Sequence, residues 1–168
     1  TTLFPLGNLV LGGSGASRTV TATPVANSSG STTITLTVSD GSLTATDTFT
    51  VTVNAVNDAP TFANVANQTI NEDGTTGSLV FTVGDQETAA ASLTVTRSSS
   101  NTPLFPLGNL DLGRSGASRT VTAIPDANSS GSTTITLTLS DGSLTATDTF
   151  TVTVNAVNDA PTITNDAN

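Results

Sequence analysis

The sequence predicts an all-β chain built of seven-stranded antiparallel sandwiches, and three observations carry that prediction. Aliphatic residues alternate with Thr or Ser along run after run. No stretch shows helical periodicity. One block of sequence returns after about 101 residues, a spacing that fits one β-sandwich per repeat. Thr, a β-branched residue suited to a pleated and half-wet surface, supplies about a fifth of the chain.

The repeat is read directly from the chain. LFPLGNL at 3–9 recurs at 104–110, and VNDAPT at 56–61 recurs at 157–162. The copies differ at few positions, among them Val10 against Asp111, Thr23 against Ile124 and Val25 against Asp126, and the Asp exchanges predict that positions 10 and 25 face water. Asp58-Ala59-Pro60 marks a boundary, because Pro cannot donate to a strand ladder and extends its neighbour. Residues 60–160 are therefore expected to form one complete repeat. Residues 1–59 correspond to the C-terminal part of a truncated first repeat, and 161–168 open a third.

Within the complete repeat, period-2 alternation and turn punctuation place strands at 62–70, 78–83, 92–97, near 109–112, and at 119–124, 132–139 and 144–157. The sixth is the clearest: from Thr133 to Leu139 every second residue is aliphatic and the rest are Thr, so one face is dry and one wet. The seventh continues with Phe150, Val152 and Val154 inward. Asp73-Gly74 and Asp141-Gly142 mark turns. The expected core is Leu79, Phe81, Leu93, Val95, Val121, Ile135, Leu137, Phe150, Val152 and Val154. Residues 1–57 lack the first three strands, so an incomplete sheet is expected there, with Ile34, Leu36, Phe49 and Val51 exposed.

Composition removes most function classes. Only 10% of the residues are charged, too few for the high charge that usually accompanies disorder in a chain of low hydrophobicity. With no Cys and no His there is no thiolate or imidazole metal site, no Ser-His or Cys-His nucleophile pair and no disulfide. The basic residues are Arg18, Arg97, Arg114 and Arg119 against 13 acidic ones, a net charge of -9 that does not suit nucleic acid. No apolar run is long enough to span a membrane. An enzyme is not expected.

The acidic residues are what remain to carry chemistry. Counting strands up and down, seven of them put the two linkers at opposite ends of a repeat. One end gathers Asp58, Asp85, Glu87 and Asp141, with Asn57 adding an amide oxygen. The other holds Glu72 near Asn158 and Asp159. Four carboxylates in a small space call for a cation, and Ca²⁺, which takes six to eight oxygens in adaptable geometry, suits them better than Mg²⁺.

These motifs, in this order, resemble the cadherin domain and the cadherin-like or immunoglobulin-like tandem repeats of large bacterial surface adhesins. Ile70-Asn71-Glu72-Asp73 resembles the family's early Glu motif, and Val83-Gly84-Asp85-Gln86-Glu87 its Asp-x-Asp motif. Leu139-Ser140-Asp141-Gly142 resembles its Ala-x-Asp-x-Gly stretch, and Val157-Asn158-Asp159-Ala160-Pro161 its linker. Ala55 and Ala156 stand where that linker has its first Asp, and Glu87 where Asp is usual. The resemblance implies a secreted or cell-surface structural repeat, rigidified by Ca²⁺ at its junctions. Its partners would be neighbouring repeats of the same chain, with other domains meeting a cell-surface or matrix ligand.

Simpler readings stand beside these. Asp40, Asp73 and Asp141 suit tight turns, and the linker suits an ordinary Pro-terminated hinge. Asp47 and Asp148 fall on the inward register of the last strand and read as a bulge or edge position. The stretch 12–17, Gly-Gly-Ser-Gly-Ala-Ser, reads as a flexible loop. Asn27, Asn67 and Asn128 are glycosylation sequons by pattern only. The Thr-x-Thr arrays at 44–52 and 145–153 raise an alternative function, a module that binds ice or carbohydrate. Sugar platforms rely on Trp and Tyr, which are absent.

Overall fold

The computed structural model describes residues 2–113, 115–161 and 163. Of the third repeat expected at 161–168, all but Pro161 and Ile163 lie outside the described residues. The chain divides into two compact units, Thr1–Asn57 and a second that begins at Asp58.

The first unit contains two hairpins. Strands β1 (Leu9–Ser14) and β2 (Ser17–Ala22) form one, and β3 (Gly30–Ser39) and β4 (Thr44–Val53) the other. The stretch read as a flexible loop instead closes the β1–β2 hairpin through Gly15 and Ala16, with Ser14 paired to Ser17. Gly13 and Gly15 supply the positive φ values, 79° and 59°, that so tight a turn demands.

The second unit is a two-sheet sandwich. Strands β5 (Thr61–Phe62), β7 (Leu79–Gly84), β10 (Ser118–Ala123) and β9 (Leu110–Gly113) form one sheet, in the order β5-β7-β10-β9. Strands β6 (Gln68–Asn71), β12 (Thr145–Asn155), β11 (Gly131–Ser140) and β8 (Thr94–Ser99) form the other, in the order β6-β12-β11-β8. The predicted strand at 62–70 is split: β5 pairs antiparallel with β7, residues 63–67 cross between the sheets, and β6 pairs parallel with β12. The reason is visible in the spacing. Phe62 and Val65, three apart, both turn inward, which a continuous strand of period two cannot achieve.

Registers fix the two ends. Thr61 pairs with Gly84, and Thr94 with Ser140, so the start of the unit, the β7–β8 loop and the β11–β12 turn share an entry end. Asn155 pairs with Asn71 at the opposite, exit end.

The expected core forms. Phe81, Leu93, Val121, Ile135, Leu137, Phe150, Val152 and Val154 are buried, with Leu79 and Val95 packed against them. Each such side chain contributes roughly 1.5–3 kcal/mol on burial. Leu104, Phe105 and Leu110 belong to the same core, although the sequence used them only as a repeat marker. Asn101 folds their connection: its carbonyl accepts the Phe105 N–H at 2.9 Å and its Oδ1 the Leu104 N–H at 3.2 Å, leaving Phe105 fully enclosed.

The first unit shows the same strands without a cover. Phe49 is 36% exposed where its counterpart Phe150 is 1% exposed, and Leu36 and Val51 are partly exposed. Ile34 departs from expectation: it is buried at 5%, as is Phe4 at 6%, so this unit gathers a small core of its own. Val10 and Asp111 both face water, and so does Asp126, while Val25 is half-buried.

Candidate functional site

At the entry end three of the expected acidic residues form a chain of contacts. The Asp58 N–H donates to Glu87 Oε2 at 3.0 Å, and the Glu87 N–H donates to Asp85 Oδ1 at 3.0 Å. Asp85 Oδ1 also accepts the Thr88 N–H at 2.6 Å, which ties the loop into an Asx turn just past β7. Asp85 Oδ2 is buried and has no hydrogen-bond partner. A buried carboxyl oxygen without a partner is the donor that an added cation would satisfy best.

Asp141 lies at this end too, in the β11–β12 turn. Its Oδ1 accepts the Ser143 and Leu144 N–H groups at 2.6 and 2.7 Å. Asp40 repeats that turn in the first unit, accepting from Ser42 at 2.9 Å and Leu43 at 2.7 Å. The Leu43 N–H, then that of Ser42, holds its carboxyl below the ordinary Asp value. Turn chemistry thus accounts for one oxygen of each carboxyl. Asn57 closes the first unit.

The exit end holds the remaining expected residues. Glu72 Oε1 accepts the Val157 N–H at 2.6 Å, and the Glu72 N–H donates to the Asn155 carbonyl at 2.9 Å. Asn158 and Asp159 are exposed, and Asn158 Nδ2 donates to the Asp159 carbonyl. Among the described residues, no group of three acidic side chains at either end stands ready to hold a metal ion. Asp85 therefore fits a cation as a single anchor rather than as part of a finished cage.

Three further residues hold the segments around these ends. Arg119, on β10, donates from Nη2 to the carbonyls of Ala90 and Leu93 at 2.9 and 3.0 Å and from Nε to Gly116 at 2.8 Å. It thereby pins the β7–β8 loop that carries Asp85 and Glu87. Its copy Arg18 donates to the Gly13 carbonyl in its own hairpin. The signal in the sequence was its place within a strand, a poor site for a solvated cation. Asp148 is a correction. It forms no bulge, since the β11–β12 register runs unbroken through Leu137 and Asp148, and it is buried. Its Oδ2 accepts the Val65 N–H at 2.8 Å, holding the crossing segment against β12. Asn67, noted only as a sequon, accepts the Thr151 N–H at 2.7 Å in the same way.

The two sheets, joined by a segment that leaves one and enters the other beside the last strand, define an immunoglobulin-like sandwich. The model of the bacterial Ig domain family matches residues 57–155, more than half of the chain. The chain belongs to that family. No curated protein matches it. Solved structures similar to it include titin domains Z1Z2 in complex with telethonin, at 18% identity and a TM-score of 0.49, covering 91% of this chain and 75% of that one. Titin domain M7 matches at 12% identity and a TM-score of 0.47, covering 61% of this chain and 100% of that one. An endo-fucoidan hydrolase of glycoside hydrolase family 107 matches at 18% identity and a TM-score of 0.46, covering 94% of this chain; this chain spans only 23% of the enzyme's length. Immunoglobulin-like families are as a rule non-enzymatic. Among the described residues, no helix is long and apolar enough to cross a membrane.

Proposed function

We propose that this chain is a structural extender of a secreted or cell-surface bacterial adhesin-like protein, spacing other domains that make the adhesive contact. The observation that carries the reading is the through-going path of the second unit: the chain enters beside Thr61 and leaves past Asn155 at the opposite end, so repeats joined by the Asn-Asp-Ala-Pro linker add length. The role is mechanical rather than catalytic.

Ca²⁺ stiffens the junction in this reading. Asp85 Oδ2 is its anchor, and Asp58, Glu87, Asp141 and the preceding Asn57 are the donors that move in to complete the shell. Glu72, Asn158 and Asp159 serve the next junction in the same role. Because the carboxyls must draw closer, binding falls in the weak range of extracellular modules, with Kd about 0.1–1 mM. At about 2 mM free Ca²⁺ that linkage stabilises by roughly 0.7–1.8 kcal/mol per site. Its effect appears in stiffness more than in folding. The test is calcium titration by calorimetry on a chain of two whole repeats, with small-angle scattering in parallel. A rise in the longest dimension that Asp85→Ala abolishes supports the reading. No binding at millimolar Ca²⁺ leaves the linker an ordinary hinge.

A second reading rests on the outer face of the β6-β12-β11-β8 sheet. Along β12, β11 and β8 its cross-strand neighbours are hydroxyl residues, as in Thr136 between Thr149 and Ser98, and Thr138 between Thr147 and Thr96. Such an array would favour an ordered-water or polyhydroxyl surface. Thermal hysteresis measurements on the chain decide it: freezing-point depression no greater than that of an inert protein of equal mass excludes ice.

A further inference from the structure

We propose that Asn128 is an acceptor for N-linked sugar from a hexose donor activated at C1 by a diphosphate, and that its copy Asn27 is a weaker one. The proposal goes beyond the extender reading and does not depend on it.

Three Asn residues stand in the pattern Asn-x-Ser/Thr, namely Asn27, Asn67 and Asn128, and the pattern alone treats them alike. The structure separates them. Asn27 and Asn128 sit in the loops that lead into β3 and β11. Both are exposed, and both adopt the left-handed conformation, with φ of 55° and 52°, that Asn tolerates better than most residues with a side chain. Among the described residues their side-chain amides make no hydrogen bond, and Ser29 and Ser130, which complete the pattern, are exposed as well. In the first unit the Ser28 N–H closes the loop on the Val25 carbonyl at 3.2 Å; in the second the Asn128 N–H donates to Asp73 Oδ1 at 3.1 Å. The full sandwich thus ties the backbone at Asn128 and leaves its side chain in water. The copies differ just before the pattern. Asp126 is exposed where Val25 is half-buried, so only Asn128 offers a carboxylate for a basic group of the transferase to grip.

In the transfer, Nδ2 bonds to C1 of the sugar. The C1–O bond to the diphosphate breaks with its electron pair leaving on the diphosphate, and Nδ2 gives one proton to a base of the transferase. Resonance draws the amide lone pair into the carbonyl, so the enzyme must grip the amide and twist it while holding the hydroxyl that completes the pattern. A free amide in an exposed turn allows this. Asn67 does not: its Oδ1 accepts the Thr151 N–H at 2.7 Å, and Thr69 is paired with Thr153 in the β6–β12 ladder, so this third sequon is closed while the fold is intact. The place of Asn128 also matters. Asp73, which holds its N–H, follows Glu72, and Glu72 Oε1 accepts the Val157 N–H at 2.6 Å. A sugar on Asn128 therefore stands at the exit end beside the linker, adding hydrophilic bulk where one repeat passes into the next.

The test treats the folded full chain with transferases directed to Asn-x-Ser/Thr and follows it by mass spectrometry of the intact chain and its peptides. One arm supplies UDP-glucose to a soluble transferase, the other a lipid-diphosphate-linked oligosaccharide to a membrane transferase. Transfer in either arm supports the proposal and identifies which carrier the acceptor takes. The folded chain is expected to gain sugar at Asn128 first, at Asn27 more slowly and not at Asn67, whereas a peptic digest of the same chain also exposes Asn67. Ser130→Ala is expected to lose the modification at Asn128 and keep that at Asn27, while Ser130→Thr restores it; both changes lie on the surface, and calorimetry of each variant checks that the fold is kept. No transfer to Asn128 from either donor would overturn the proposal. So would transfer to Asn67 in the folded chain as fast as to Asn128, since the sequence pattern and not the structure would then decide the site.

Discussion

Removal of the Asp148 carboxyl is an experiment with its control built into the same chain. In Asp148→Ala the buried Val65 N–H loses its acceptor at 2.8 Å. Leaving a buried donor unsatisfied costs about 1–3 kcal/mol. In a domain of roughly 100 residues each kcal/mol moves Tm by about 4–8 °C, so a fall of roughly 4–24 °C is expected. Asp47 occupies the same place in the first unit, between the same neighbours in sequence, but is exposed because no segment crosses there. Asp47→Ala should therefore change stability by less than about 0.5 kcal/mol. Asp148→Asn keeps an oxygen acceptor and should recover most of the loss. Calorimetry gives the size of the effect, and residue-resolved hydrogen exchange shows whether the amides of β6 open first. Equal losses at positions 47 and 148 would refute the reasoning, as would a loss at 148 within the noise of surface substitutions.

Three further outcomes are expected. Phe150→Ala should cost about 3–5 kcal/mol, whereas Phe49→Ala should cost less than about half of that because its ring is already 36% exposed; urea unfolding of each variant measures both. Asp40 should titrate below the ordinary Asp value of 3.8, since backbone N–H groups favour its charged form. With its folded pKa depressed, the contribution to the turn is fully present above the ordinary value and is lost as pH falls through the folded one, which an NMR titration of its carboxyl signal follows. Arg119→Met frees the carbonyls of Ala90 and Leu93, so exchange in the 85–93 loop should quicken, equivalent to about 1–3 kcal/mol, while the amides of β11 stay protected.

Alternation of aliphatic and Thr residues was enough to place six strands of the complete repeat within a few residues, because each of them buries a single face. The first strand failed the same rule, since it serves two sheets in turn and its inward residues, Phe62 and Val65, fall out of step at the crossing. Asp148 was legible as an inward residue but not as a ligand for Val65, because its partner stands 83 residues away and comes from a segment with no periodic pattern. At the entry end, strand counting brought Asp85, Glu87 and Asp58 to one place, and their contacts follow from turn chemistry. Counting could not give the direction of each carboxyl, which depends on how Arg119 folds the loop beneath them.

Two copies of the same four strands in one chain also pose a problem of assembly. A segment equivalent to 61–99 fits the strands of its own repeat and, by sequence, nearly as well those of another copy, for the register of β3 with β4 is that of β11 with β12. Affinity therefore discriminates poorly between a correct partner and a wrong one, and connectivity must do so instead. The seven residues between β4 and β5, 54–60, reach about 25 Å when fully extended, close to the roughly 26 Å that an eight-residue strand covers, so a return of 61–99 to the strands immediately before it would need a fully taut linker. The short Pro-ended linker acts here as a proofreading device. It makes the following strands the easier ones to reach while the repeat folds, and lengthening it by a few residues should turn an orderly array into a mixture of exchanged pairings.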